Sequence, residues 1–193
     1  MAIFFDMDGV MAQFYKDPDF LTNMHKEGYF IGLQPYTALC TAFRILHKVR
    51  QDIYILTAYH AEDPWVPHEK KLWTRNMFGQ DAADFDMIIC PCGTNKAEYA
   101  EQKIGRKLRR YDVLVDDHTP NLQHWQAAGG TGIKFINEIN GHGGKWKGER
   151  MSYTSNYGAM LAMLMRHILR GEIFEKEEKS HERSENYQRA KAV

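Results

Sequence analysis

Five short apolar segments recur along the chain and are separated by stretches with helical periodicity. They are rich in Ile, Val, Phe or Tyr and are bounded by Gly, Pro, Asp or Asn, which is typical of β-strands. The segments are 2–5, 52–56, 87–90, 112–115 and 132–136. Their nearly continuous apolar character indicates burial on both faces, as in a parallel sheet. Alternating strands and helices predict an α/β fold, with a doubly wound (Rossmann-like), mainly parallel five-stranded sheet flanked by helices.

The segments between these strands carry apolar residues at helical spacing. The stretch 36–50 places such residues on one side of a helix, namely Leu39, Ala42, Phe43, Leu46 and Val49. Further helices are predicted over 68–78, over 96–106 and over 157–169. Another is predicted from Pro120 to Gly129, since Pro is common in a first helical turn and Gly after a last one.

Residues 12–34 form an unusually long connection between the first strand and the first crossover helix. Most such connections contain about two to six residues, and longer ones often carry a function. We expect a small cap insertion that serves as a lid, with a packed helical detour as the alternative. The Gly-rich stretch 137–150 predicts a flexible loop. We expect one domain over 1–171, followed by a charged tail or helix over 172–193.

Composition limits the functions open to the chain. Lys and Arg number 25, as do Asp and Glu, and this zero net charge argues against nucleic acid or an anionic membrane as a main partner. The apolar runs are all shorter than the roughly 18 residues of a membrane span, and we expect no signal peptide. Three cysteines, with no second ligand pair beside Cys90-Pro-Cys92, favour neither disulfides nor zinc and suggest a cytoplasmic location. The sequence leaves open whether the protein forms a homo-oligomer.

Polar residues follow four of the five predicted strands. Asp6 and Asp8 follow the first, Thr57 ends the second, Lys96 comes shortly after the third, and Asp116-Asp117 end the fourth. In open α/β sheets, ligands bind beyond the carboxyl ends of the strands. We therefore expect these side chains to meet in one crevice.

Four neighbouring carboxylates need a compensating cation. Without one, their mutual repulsion would raise some of their pKa values strongly. Mg²⁺ is a hard cation that takes oxygen ligands, often one or two carboxylates together with a substrate phosphate. Lys96 and Thr57 carry donors that suit a phosphate. The pattern predicts a Mg²⁺ and phosphate site.

The same residues resemble the four ordered motifs of the haloacid dehalogenase superfamily. The motifs are Asp6-Met7-Asp8-Gly9-Val10, Thr57, Lys96 and Asp116-Asp117. Within the superfamily the chain looks most like the 5'(3')-deoxyribonucleotidase group, over residues 2 to about 136. The stretches that carry this likeness are FFDMDGVMAQF, LQPYTALCTAF, DIYILTAYHAEDPWVPHEKKLWTRNMFG and VLVDDHTPN.

The resemblance implies a Mg²⁺-dependent phosphomonoester hydrolase, with a nucleotide as the expected substrate. It implies that Asp6 is the nucleophile that forms an aspartyl-phosphate, and that Asp8 is the general acid and base. Mg²⁺ would bind the Asp6 carboxylate, the Asp8 backbone carbonyl and Asp117, with Asp116 as the alternative ligand or one that acts through water. Within the superfamily, the acid at position 8 makes the chain similar to the phosphatases. The dehalogenases lack an acid at this position, and the transport ATPases carry Thr there.

The resemblance also implies the phosphate contacts. Thr57 and Lys96 would hold the transferring group, and the backbone amides of Met7 and Ala58 would add donors. Motif two here is Thr57-Ala58-Tyr59, whereas relatives often have Thr-Ser-Pro.

The substrate pocket is less well defined by the sequence, because the cap is shorter than in the mammalian-type nucleotidases. Candidates to contact the organic part of the substrate are aromatic or lie near the rim, namely Phe14, Tyr15, Phe20, Tyr29, Phe30, Tyr59, His60, His68 and Lys70. Core packing is the alternative for each aromatic residue. Alternative functions are a phosphatase of sugar phosphates or polynucleotide ends, and a non-catalytic binding module. Receiver domains use similar residues but place the acidic pair first in the chain.

Overall fold

The computed structural model describes residues 1–14, 17–79, 81, 85–140 and 144–191, with side chains up to His181 in the last helix. Its strands are β1 (Ile3–Phe5), β2 (Ile53–Tyr59), β3 (Asp86–Pro91), β4 (Val113–Asp116), β5 (Thr131–Ile136) and β6 (Glu149–Ser152). Its helices are α1 (Phe20–Asn23), α2 (Thr37–Val49), α3 (Val66–Phe78), α4 (Lys96–Ile104), α5 (Thr119–Ala127) and α6 (Tyr157–Lys191), with a short 3₁₀ helix at Phe30–Gly32.

The six strands form one parallel sheet in the order β3-β2-β1-β4-β5-β6. The chain builds outward from β1 through β2 to β3, and then returns to the other side of β1 for the second half. The carboxyl ends of all strands therefore face one edge. The direction of winding reverses between β1 and β4, which is where ligands bind in open α/β sheets.

The α/β sheet prediction is confirmed, but the predicted number of strands is wrong. β6 begins in the last two residues of the stretch 137–150 that is predicted as a flexible loop, and it pairs with β5 from Ile133↔Glu149 to Ile136↔Ser152. It is a short edge strand in which Met151 alone is buried. A strand with one buried residue after several glycines lacks the apolar run that predicted the other strands.

Alternating residues of the central strands face two separate cores. Ile3 and Phe5 join a cluster with α2 and α6, while Phe4 joins a second cluster with α4 and α5. All three side chains are at most 1% exposed. This two-sided burial explains the unbroken apolar runs and fixes β1 rigidly at the centre of the molecule.

Helix α6 supplies part of the first core and extends well beyond the predicted 157–169. Met160, Leu164 and Ile168 are at most 2% exposed and pack against the sheet and α2. The N-terminal ammonium of Met1 pairs with Glu175 further along the helix. Among the described residues, no helix is both long enough and apolar enough to cross a membrane.

The insertion after β1 contains α1 and the 3₁₀ helix, and it is tied to α3. The Glu69 carboxylate accepts hydrogen bonds from the backbone N–H of Gly28 at 2.5 Å and of Phe30 at 3.2 Å. The Trp73 indole donates to the carbonyl of Leu33 at 2.7 Å. The insertion is thus a docked helical element with its own small aromatic cluster, which includes Phe14 and Phe30.

Candidate active site

The first pair of acids follows β1 where the chain leaves the sheet. The Asp6 amide still donates to the Val115 carbonyl of β4, at 2.9 Å, so the Asp6 backbone is held by the sheet. Gly9 then adopts a φ of +71°, which side chains disfavour, and turns the chain sharply. The Asp6 side chain is buried and that of Asp8 is partly exposed. Both carboxyl groups line one cavity.

The second pair of acids follows β4 and precedes α5. The Asp116 carboxylate is fully buried, and it accepts from the His118 amide at 2.7 Å and the Asn121 amide group at 3.0 Å. Asp117 Oδ2 accepts from Asn137 Nδ2 at 2.8 Å. The same amide nitrogen reaches the Gly9 carbonyl at 3.0 Å, so Asn137 joins the two acid-bearing turns.

Lys96 links the two acid pairs from the start of α4. The Asn95 side chain caps this helix by accepting from the Ala97 amide at 3.1 Å, which fixes the position of Lys96. Lys96 Nζ lies 2.9 Å from Asp6 and 2.8 Å from Asp116. Burial alone would lower the pKa of Lys96, but these two carboxylates raise it above its ordinary value. Lys96 therefore stays an ammonium at the floor of the cavity.

The donor set fits a hard divalent cation. Carboxylate oxygens of Asp6, Asp116 and Asp117 all lie within 4.8 Å of one another. Burial, together with the neighbouring carboxylates, raises the pKa of Asp6 to about 7 and also raises that of Asp117. A Mg²⁺ ion would remove this conflict, because it takes oxygen ligands and supplies the missing positive charge.

The hydrogen bonds distinguish the two members of the second acid pair. Both oxygens of Asp116 already accept hydrogen bonds, and Oδ2 also contacts Lys96. Asp117 has one oxygen engaged by Asn137, and its other oxygen accepts no bond from the described part of the chain. Asp117 also lines the cavity. This arrangement favours Asp117 as the direct ligand of a metal.

A second buried lysine, Lys70 of α3, contacts the site from the opposite side. Its ammonium is fully buried and lies 2.5 Å from Asp8 Oδ2, 2.8 Å from Thr57 Oγ1 and 2.5 Å from the Ala58 carbonyl. The sequence placed Lys70 only near the rim, since a Lys in the polar sequence VPHEKK is typical of an exposed helix surface. Its neighbour Lys71, which is exposed, shows that the local pattern does not separate the two.

The cavity has a volume of about 480 Å³ and opens at this edge of the sheet. Ten predicted residues line it, namely Asp6, Asp8, Phe14, Phe20, Phe30, Ala58, Tyr59, His60, Lys96 and Asp117. Met7, Thr57 and Asp116 are buried and are not among its lining residues. The Met7 amide donates to Asp6 Oδ1 at 2.8 Å. The predicted position Tyr15 lies outside the described residues.

One wall of the cavity is aromatic and apolar. Phe14 stacks on Phe30 with ring centroids 5.8 Å apart, and Phe20 meets Phe14 edge-on at 5.4 Å. All three line the cavity, whereas Tyr29 supports Phe14 by donating its hydroxyl to the Phe14 carbonyl. The insertion therefore provides an apolar surface beside the carboxylates.

Besides the predicted His60, histidines that the sequence did not single out lie at or near the cavity. His118 and His124 line the cavity from the start and the end of α5. His60 lies 5.3 Å from the ring of His25, which pairs with the buried carboxylate of Asp63 at 2.8 Å. Single histidines in loops and helices give no sequence signal of a shared rim, because the fold brings them together from distant segments.

No family model and no curated protein matches the chain. Solved structures do. A HAD-superfamily hydrolase from Ehrlichia chaffeensis is 14% identical with a TM-score of 0.54, and the alignment covers 86% of this chain and 97% of that one. A haloacid dehalogenase-like hydrolase from Streptococcus pneumoniae is 13% identical with a TM-score of 0.57, covering 84% and 97%.

A third similar structure is a phosphatase. It is the D,D-heptose 1,7-bisphosphate phosphatase of B. bronchiseptica, solved with magnesium and phosphate, at 17% identity, a TM-score of 0.56, and coverage of 86% of this chain and 99% of that one. At such low identity the likeness concerns the fold, and it extends over nearly the whole of each neighbour. The chain therefore has the α/β fold of haloacid dehalogenase-like hydrolases.

Proposed function

We propose that the protein is a Mg²⁺-dependent phosphomonoester hydrolase. The observation that carries the proposal is the meeting of Asp6, Asp8, Lys96 and Asp117 in one cavity at the point where the sheet reverses direction. The two acids that follow β1, a buried ammonium and a further buried carboxylate together provide a nucleophile, a proton donor and counter-charges for a phosphate. The neighbouring HAD-type hydrolase structures support this chemistry by their fold.

In this proposal the carboxylate of Asp6 attacks phosphorus and the ester oxygen leaves. Asp8 gives a proton to the departing alkoxide, which yields the alcohol and an aspartyl-phosphate on Asp6. Asp8 then takes a proton from water as the water oxygen attacks phosphorus, which releases inorganic phosphate and restores the Asp6 carboxylate. Lys96, which is already 2.9 Å from Asp6, would stabilise the negative charge of the transferring group.

Mg²⁺ would be held by the carboxylates of Asp6 and Asp117 and by the backbone carbonyl of Asp8, and it would neutralise the charge of the phosphoryl oxygens. Lys96 has two carboxylate partners, so the third N–H of its ammonium is available for a phosphate oxygen. The Met7 amide already donates to Asp6, and Thr57 is buried outside the cavity lining, where its hydroxyl accepts from Lys70, so their proposed support of the phosphate site is indirect.

Nucleoside monophosphates are the substrates that we favour. The aromatic wall formed by Phe14, Phe20 and Phe30 lies beside the carboxylates and can take up a flat apolar group through stacking. A sugar phosphate would leave this wall without a matching surface. The heptose bisphosphate phosphatase among the similar structures makes sugar phosphates the alternative class to test.

A phosphate-release assay with a broad ester panel tests the proposal. The panel contains ribo- and deoxyribonucleoside 5'- and 3'-monophosphates, sugar phosphates, phosphorylated oligonucleotides and p-nitrophenyl phosphate, with MgCl₂ or EDTA. We expect release from nucleotides with MgCl₂ and none with EDTA. Asp6→Asn should abolish it, since the amide is a poor nucleophile. Asp86→Asn is the matched control, because Asp86 lies at the opposite end of β3 and is half-exposed.

The possible results separate the candidate functions. Preferential release from sugar phosphates or oligonucleotides would keep the phosphatase and change its substrate class. If neither the wild-type protein nor the control released phosphate from any ester in MgCl₂, the hydrolase proposal would be wrong. A Mg²⁺-binding protein without turnover would instead be the non-catalytic binding module.

A further inference from the structure

The two buried lysines of the site differ in how their N–H donors are used. Lys96 contacts two carboxylates and lines the cavity, so a donor remains for substrate. Lys70 has three oxygen partners and is absent from the cavity lining. An ammonium has three donors and no acceptor, so the three contacts use all the hydrogen-bonding capacity of Lys70.

The three partners of Lys70 come from two separate segments that border the site. Asp8 belongs to the turn after β1, whereas Thr57 and Ala58 lie near the end of β2. Lys70 itself lies on α3 and is held against the ring of Phe30 at 4.9 Å from the centroid. Its neighbour Glu69 binds the insertion through two backbone amides. The position of Lys70 is therefore set by α3, and its ammonium in turn connects the turn after β1 to the end of β2.

The contact with Asp8 divides the roles of its two oxygens. Oδ2 accepts from Lys70 at 2.5 Å, while the buried Oδ1 has no hydrogen-bond partner in the described part of the chain. Rotation of the carboxyl group about its bonds would break a charge-assisted hydrogen bond inside the protein, where such bonds are strong. The orientation of Oδ1 is thus set by Lys70, although Lys70 does not reach the cavity.

We propose that Lys70 is a positioning residue that holds the Asp8 carboxyl group in the orientation required for proton transfer to the leaving group. This inference rests on the proposed phosphatase function. It assigns Lys70 an indirect role, distinct from that of Lys96, which touches the cavity. Loss of Lys70 should impair the protonation of poor leaving groups far more than the attack of Asp6 on phosphorus.

The test compares two esters that differ in their need for a proton. The alkoxide released from a nucleoside monophosphate is a strong base and requires protonation, whereas nitrophenolate is a weak base and departs without it. Lys70→Met keeps the length of the side chain and removes the donors. Lys70→Arg keeps the charge, and Lys71→Met on the exposed side of α3 is the matched control.

We expect kcat/KM of Lys70→Met to fall by about 100-fold on the best alkyl phosphate of the panel. The factor by which it falls on p-nitrophenyl phosphate should be smaller by at least about 10-fold, because nitrophenolate needs no proton. Lys70→Arg should recover part of the kcat/KM that is lost on the alkyl phosphate, and Lys71→Met should match the wild-type protein on both esters. If Lys70 had only a structural role, its loss would lower kcat/KM on both esters by the same factor. Equal losses on both esters, or no loss on either, would overturn the inference.

A thermal unfolding cycle tests the Lys70–Asp8 contact without any turnover. Lys70→Met leaves the Asp8 carboxylate without its cation, and Asp8→Asn leaves the buried Lys70 ammonium without its counter-charge. The double variant should therefore lose less in melting temperature than the sum of the two single losses. The two proposals can fail separately. If the wild-type protein hydrolysed no ester, the phosphatase proposal would be wrong. If the losses in melting temperature were additive in this cycle, the Lys70–Asp8 contact would be rejected.

Discussion

At the residue scale, the aspartates of the site differ in how their oxygens are satisfied. Asp116 is enclosed by Lys96, the His118 amide and Asn121, so its role is to hold Lys96 in place. Asp117 has one oxygen held by Asn137 and faces the cavity. The sequence presents the two as an identical pair, and their difference appears only when the neighbours from β5 and α5 are in place.

Asp117→Asn should remove the response of the protein to Mg²⁺ without unfolding it. The substitution deletes one of the buried negative charges that repel each other, so the metal-free variant should melt at or above the wild-type temperature. Binding of a ligand to the native state alone stabilises by about 2.7 kcal/mol at 100 times Kd. We therefore expect MgCl₂ to raise the melting temperature of the wild-type protein and of Asp86→Asn, but not that of Asp117→Asn.

Differential scanning fluorimetry with a MgCl₂ series, and EDTA as the reference, measures this response. An equal shift in Asp117→Asn and in the wild-type protein would show that the metal does not use Asp117.

At the element scale, α3 joins the insertion to the candidate active site. Two consecutive buried residues of α3 bind different partners: Glu69 accepts from the backbone of the insertion, and Lys70 donates to Asp8. Trp73, one turn further, holds the carbonyl of Leu33. Glu69 is only 2% exposed, and the two backbone N–H groups that it binds have no other acceptor among the described residues. The docking of the insertion therefore depends strongly on one carboxylate.

Glu69→Ala should loosen the insertion while the rest of the sheet stays intact. Leaving a buried donor unsatisfied costs about 1–3 kcal/mol, so the segment around Gly28 and Phe30 should open more often. Hydrogen exchange measured by mass spectrometry should show faster exchange in peptides that cover 28–34, with unchanged protection in β1 and β4. Glu62→Ala, at an exposed position before α3, is the control. Uniform loss of protection across all peptides would contradict this local role.

The elements differ in how much of them the sequence could predict. The central strands were predictable because burial on both faces leaves an unbroken apolar run, as in Ile3–Phe5. The acids that follow them were predictable because the strand order along the chain places their ends at one edge. β6 was not, since a single buried Met151 gives no period. Lys70 was not, because its burial results from partners in the turn after β1 and on β2 that are distant in sequence.

At the scale of the whole molecule, the C-terminal helix completes the core that carries the site. α6 is 35 residues long, and its first half covers the same face of the sheet as α2. Arg50 bridges from the end of α2 to Glu172 at 2.8 Å, and Gly171 lies so close to Met1 that an added Cβ would approach its sulfur within 2.7 Å. The helix thus holds the beginning of β1, whose other end bears Asp6.

Two leucines of α6 provide a matched test of this role. Leu164 is fully buried in the core and Leu169 is 55% exposed, so substitution by Ala removes the same atoms from two different environments on one helix. Leu164→Ala should lower the free energy of unfolding by about 2–5 kcal/mol, because it leaves a cavity beside the sheet. Leu169→Ala should change it by less than about 0.5 kcal/mol. Urea unfolding followed by circular dichroism measures both values. Similar small losses in the two variants would mean that α6 is not an integral part of the core that anchors β1, and Asp6 would then owe its fixed position to the sheet alone.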